Sequence, residues 1–198
     1  MGRWKFWTAI LIGYGVFALL LWGIHSITVA APLGPAAASP PTFASTALDL
    51  GAYVSNVEAS AKFYVEAIGM TEVPGFSVPD TFCTAAGLTD GKELKIRVFT
   101  LGSGEPSTKF KIMQVPGVET KTGATEYVHS QFGYRYITIH VADLEAALAR
   151  LRKAGVTPLK QSPVVVPESL APNTGMIVVK DPDGNMIEIV GSPAPQAK

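Results

Sequence analysis

The chain has 198 residues, and its sixteen basic and sixteen acidic side chains cancel. Neutral balance, with no basic patch interleaved with aromatics, argues against a nucleic-acid partner. Cys83 is the only cysteine, so an intramolecular disulfide and a thiolate metal cluster are both excluded, and the residue reads as a small buried hydrophobe.

In chain order, Arg3 and Lys5 precede the uncharged apolar run Phe6–Ile24. At ~1.5 Å per residue this run is ~28 Å long as a helix, near the ~30 Å of a bilayer core. Trp4, Trp7 and Trp22 stand near its ends, and the positive charges place the N-terminus in the cytoplasm, with the rest of the chain outside. The alternative is a cleaved signal peptide, since Thr28-Val29-Ala30 is a tolerable cleavage site; against it, the run exceeds the usual ~7–15 residues and Pro32 lies close behind. Both readings export the remainder of the chain. Residues 1–29 are therefore expected to be an N-terminal transmembrane anchor or signal peptide, and 30–46, with Pro32, Pro35, Pro40 and Pro41, a Pro/Ala-rich linker.

The folded part is expected over 47–191. It opens with a strand, Ala47–Val54, and a helix, Asn56–Ile68. A strand at Thr71–Val78 is interrupted by Pro74, a helical turn at Thr81–Ala86 lies over the sheet, and strands at Leu94–Leu101 and Lys109–Val115 complete a first module, 47–117. Pro116–Gln131 connects to a second module, 132–191. There Ile137, Ile139 and Val141 alternate with Tyr136, Thr138 and His140, giving a half-buried strand. Asp143 is suited to cap a helix carrying Leu144, Leu148 and Leu151, and Gly155 to end it in a left-handed conformation. The module continues through Val156–Lys160 and a proline-rich loop, and closes with Met176–Lys180 and Asn185–Val190 around the tight turn Asp181-Pro182-Asp183-Gly184.

The two modules echo each other. Val54, Asn56, Val57, Glu58 and Ala59 match Val141, Asp143, Leu144, Glu145 and Ala146 at an offset of 87 (141 minus 54), while the helix-ending glycines differ by 86 (155 minus 69). A shared strand-to-helix switch with one residue slipped is the mark of a duplicated module. The expected class is α+β: two tandem βαβββ modules forming a concave mixed sheet, preceded by one N-terminal hydrophobic helix.

The openings VSNVEASAKFYVEAIGM and VADLEAALARLRKAGV, with the ending DPDGNMIEIV, resemble the vicinal oxygen chelate superfamily, which contains glyoxalases, bleomycin-resistance proteins and extradiol dioxygenases. The resemblance covers roughly 46–191 and implies the fold, while leaving the reaction open. In metal-dependent members, the first and last strands of each module supply two histidines and two glutamates to a divalent ion. Here the resemblance puts Asp49 and Tyr136 at the histidine positions. Glu188 stands at one glutamate position, and Gln114 is the nearest polar match at the other.

Strand parity places Asp49, Gly51 and Tyr53, and Tyr136, Thr138 and His140, toward a shared cavity, with Glu188 joining in the family register. Three functions are expected from this. The leading one is an exported, membrane-tethered domain binding a small organic molecule through Asp49, Tyr53, Gln114, Tyr136, Thr138 and His140, with the usual metal centre degenerate. The rival is a glyoxalase-type lyase or dioxygenase in which Asp49, His140 and Glu188 hold a divalent metal and the Glu188 carboxylate moves a proton. The third is a non-enzymatic interaction module whose cavity is filled by Tyr53 and Tyr136. His129 reads as a solvated loop residue. No cofactor is expected beyond that possible metal. Two modules in one chain permit a monomer, and a homodimer is also compatible with the resemblance.

Overall fold

The computed structural model describes residues 44–193 apart from 46, 103, 105 and 106. The expected anchor and nearly all of the linker lie outside the described residues, and among these no helix is long and apolar enough to cross a membrane. The described residues belong to one compact unit, Phe43–Lys198.

The first module is β1 (Asp49–Tyr53), α1 (Val57–Lys62) with a π-helical continuation (Phe63–Ile68), β2 (Thr71–Val78), α2 (Asp80–Ala85), β3 (Leu94–Thr100) and β4 (Lys109–Gln114). The second is β5 (Tyr136–Val141), α3 (Leu144–Lys153), β6 (Val164–Val165), β7 (Gly175–Lys180) and β8 (Met186–Gly191). Each module forms its own four-stranded sheet, in the orders β1-β4-β3-β2 and β5-β8-β7-β6. In each, the first strand is parallel to the last and the other neighbours are antiparallel. The expected single mixed sheet is thus two sheets. Both β1 and β5 end as edge strands, with no ladder between them.

The duplicated caps behave as their residues require. Asn56 accepts from the amides of Glu58 and Ala59, and Asp143 from that of Ala146. Gly69 and Gly155 end their helices at φ 87° and 73°, where a side chain would be strained. The slipped residue also has a structural expression. Asn56 to Gly69 is one residue longer than Asp143 to Gly155, and the first helix absorbs the excess by widening into π winding over its second half.

One apolar core joins the modules. Tyr64, Ala67 and Ile68 from the first helix and Leu144, Leu148 and Leu151 from α3 pack together, with Phe110 and Ile112 beneath one helix and Ile187 and Ile189 beneath the other. Arg150 closes the junction by donating to the carbonyls of Ala67 and Ile68 at 3.3 and 2.9 Å, groups left open at a helix end. We call the face of each sheet away from α1 and α3 the inner face. On the first sheet α2 covers part of it, burying Cys83 against Leu94, Ile96 and Val98, as expected of a small hydrophobe.

Two local expectations change. Val156–Lys160 forms no strand, although the Val156 amide donates to the Leu151 carbonyl and the Leu159 amide to the Val178 carbonyl; the edge strand is instead the two residues of β6. Pro158, Pro163 and Pro167 cannot donate to a ladder, which keeps this edge short. In β2, Pro74 does not end the strand. The register shifts between Val73 and Phe76, so Pro74 and Gly75 form a bulge.

Candidate functional site

The facing edges of β1 and β5 leave a cleft of about 350 Å³ at the seam between the modules. The Leu48 carbonyl and the Val54 amide bond across to β4. By the alternation of a parallel ladder, the backbone groups of Asp49, Gly51 and Tyr53 then face the open edge, which gives the cleft a row of donors and acceptors. Its walls are aromatic: Tyr53, Tyr134 and Tyr136 stand beside the edges, and Tyr64 and Phe110 form the floor. Tyr53 is fixed by its hydroxyl, which donates to the Val115 carbonyl and accepts from the Val115 amide. Tyr136 stays half exposed. Tyr53 and Tyr136 therefore wall the cavity rather than fill it.

The turn Asp181-Pro182-Asp183-Gly184 reaches the floor of this cleft from the second module. Buried Asp181 accepts from the amides of Asp183 and Asn185 and from the Asn185 side chain, and takes the Tyr64 hydroxyl at 2.8 Å. Burial, then the Asp181 carboxylate, push the Tyr64 phenol far above its ordinary range, so it remains a neutral donor. Asp183 accepts in turn from the Ser55 amide at 3.1 Å. The turn is the expected hairpin, and it also latches the modules together.

The other sequence-derived site residues separate into groups. Asp49 lines the cleft and takes a 2.6 Å ion pair from Lys111. That hydrogen bond, with the charges of Lys111 and Lys109, holds the Asp49 carboxyl below its ordinary range. Thr138 donates to Glu188 at 2.7 Å on the inner face of the second sheet. His140 lies elsewhere, in a groove of about 410 Å³ with Pro172, Asn173 and Thr174. His129 is exposed but sits in the short 3-10 helix Val128–Ser130 rather than in a loop, stacked on Tyr127. Gln114 needs correction as a ligand-binding residue. It has the parity of Phe110 and Ile112, and its side chain accepts from the Val57 amide and donates to the Ser55 carbonyl, stapling β4 to the start of α1.

The register identifies the residue that stands where Gln114 was expected. Glu188 pairs with Thr138; the first-module counterpart of Thr138 is Gly51 (138 minus 87), and Gly51 pairs with Lys111. The four positions corresponding to metal donors are thus Asp49, Lys111, Tyr136 and Glu188. An ammonium has no lone pair to give and repels a divalent ion. Among the described residues no three His, Cys, Asp or Glu side chains gather to hold a metal, and the expected trio of Asp49, His140 and Glu188 is not brought together.

Sequence reasoning missed Lys111, Tyr134, Asn185 and the Tyr64–Asp181 bond. For Lys111 a signal existed: KFKIM and MIEIV share an alternation that aligns Phe110 with Ile187, Ile112 with Ile189, and Lys111 with Glu188.

A family model described as Glyoxalase/Bleomycin resistance protein/Dioxygenase superfamily matches residues 46–189. No curated protein matches. Among solved structures, the chain is similar to a glyoxalase family protein from Bacillus cereus, at 15% identity and TM-score 0.60, over 79% of this chain and 100% of that one. It is similar to the trypanothione-dependent glyoxalase I of Leishmania major, at 27% identity and TM-score 0.50, over 73% of this chain and 84% of the other. A variant of glyoxalase I from Zea mays matches at 17% identity and TM-score 0.54, over 76% of this chain and 46% of its own.

Proposed function

The chain belongs to the glyoxalase/bleomycin resistance protein/dioxygenase superfamily, and from that premise we propose that it binds a small, flat organic molecule in the seam cleft, with the family's metal centre degenerate. One observation carries this reading: the seam holds an open, aromatic-walled cleft beside the unpaired backbone edge of β1. Flat rings give such a ligand a large contact area, and edge amides and carbonyls fix its orientation. Lys111 at a donor position supports the metal-free part.

The test is a screen of mono- and bicyclic aromatic fragments against the purified full chain, read by backbone amide NMR shifts. Binders are expected to move the amides of Gly51, Tyr136 and Asn185 and to weaken about tenfold in Tyr136→Ala, the order of one lost stacking contact. Fragments that map only to the groove beside His140, or no binders at all, would sink the proposal.

We place this domain outside the cytoplasm, tethered by the Phe6–Ile24 run. The support is in the sequence: an uncharged stretch of bilayer length flanked by Arg3 and Lys5. In fractionated cells the full-length chain is expected in the membrane pellet after a high-salt wash. Recovery of uncleaved chain in the soluble fraction contradicts the tether.

A further inference from the structure

The cleft's aromatic walls say nothing about charge. Arg135 lines the cleft with its guanidinium donating to the carbonyls of Val128, Ala124 and Tyr127; Lys111 is not among the lining residues and adjoins the cleft through Asp49. Its ammonium lies 2.6 Å from an Asp49 carboxylate oxygen on β1 and 5.5 Å from the centre of the Phe76 ring on β2. β4 and β3 separate those two strands in the sheet, so the group stands over the inner face. Its side chain is 23% exposed, open enough to meet a ligand.

The charges around it are unequal. Lys109 lies two residues away on the same face and pairs in register with Asp49, so two cations share one carboxylate. Glu72 on β2 offers no compensation, because it points to the opposite face and is held there by Arg97 at 2.6 and 2.8 Å. An ammonium has three N–H donors. Lys111 uses one on Asp49. The rest face a surface whose neighbouring groups on the strand are Gly51, which adds no side chain, and Val98.

We infer that Lys111 is the anion-binding group of this site, and that the ligand of the seam cleft is an aromatic acid whose carboxylate bonds to Lys111 while its ring lies among Tyr53, Tyr134 and Tyr136. The inference rests on the seam reading and adds the charge of the ligand. Asp49 links the two parts physically, since it lines the cleft and touches the ammonium. It also moderates the site. The Asp49 carboxylate competes with the ligand for Lys111, and Lys109 offsets the repulsion between the two anions.

The experiment compares phenylacetate with phenylacetamide, which share a ring and differ by one charge, titrated into the full chain and read by amide shifts. Phenylacetate is expected to bind on the order of tenfold more tightly, the scale of one charge-assisted hydrogen bond. Asp49→Asn removes the competing anion and is expected to tighten phenylacetate several-fold. Lys111→Met is expected to abolish the preference, bringing phenylacetate to the affinity of phenylacetamide, whereas Lys111→Arg keeps it. Equal affinities in the unaltered chain, or a preference that survives Lys111→Met, would overturn the inference. If both probes shift Gly51 and Tyr136 with equal affinity, the charge assignment falls and the seam reading stands. If neither probe shifts them, the aromatic-acid inference falls, and the seam reading is decided by the fragment screen.

Discussion

Asp181→Ala is expected to destabilise the domain by about 3–5 kcal/mol, because it leaves the buried Tyr64 hydroxyl and three part-buried donors of the turn without their acceptor. The carboxylate takes four hydrogen bonds: from the amides of Asp183 and Asn185, from the Asn185 side chain, and from the Tyr64 hydroxyl. Asp181 and Tyr64 are both buried, so water cannot replace the lost partner without opening the core. The loss should lower the melting temperature by roughly 10 °C in a domain of this size. Tyr64→Phe removes one donor and leaves the carboxylate its other three bonds; about 1–2 kcal/mol is expected. Urea unfolding of both variants and of the double variant gives the comparison. Adding Tyr64→Phe to Asp181→Ala should cost little more, since the hydroxyl has already lost its acceptor. A cost below about 1 kcal/mol for Asp181→Ala would mean that the latch does not hold the modules together.

The latch shows what the sequence could and could not disclose. The turn was legible, because proline presets φ and glycine accepts the φ of 84° found at Gly184. Its second role was not, because Tyr64 and Asp181 are 117 residues apart and no local periodicity couples them. The duplicated caps were legible because Asn56 and Asp143 act on amides within three residues of themselves. The 86-against-87 slip likewise held real information, which became π winding around Phe63–Ile68.

Site residues were harder for a different reason. Asp49, Tyr53 and Tyr136 are reached from strand parity alone, and all three line the cleft. Gln114 satisfies residue type alone, as the nearest polar match to a glutamate, while its parity places it with Phe110 and Ile112. Alternation was the stronger constraint, since a slip of one residue turns every side chain to the other face. Respecting it leads to Lys111 and to a different chemistry. His140 had the right parity but the wrong place along its strand, and it opens on a separate groove.

Gly75→Ala tests whether the architecture behind that chemistry is as tightly set as its contacts imply. Gly75 lies in the bulge between Val73 and Phe76, where a Cβ would be driven into the Ile96 carbonyl oxygen on β3. Main chain cannot rotate away as a side chain can, so β2 must move off β3 or the bulge must reorganise. A loss of about 2–4 kcal/mol is expected, in the range of overpacking that forces backbone shifts. Gly51→Ala is the control: its Cβ would meet only the flexible Met113 methyl at 3.4 Å, and a change under about 1 kcal/mol is expected. The bulge also places Phe76 beside the Lys111 ammonium. Displacing β2 should therefore weaken phenylacetate binding as well as stability, by several-fold at temperatures where the variant is still folded. Amide shifts at Ile96 and Phe76, tracked with the unfolding curves, would separate the two effects. A Gly75→Ala protein with unaltered stability and unaltered Ile96 and Phe76 shifts would show that the bulge tolerates a side chain and that the ring's position does not depend on it.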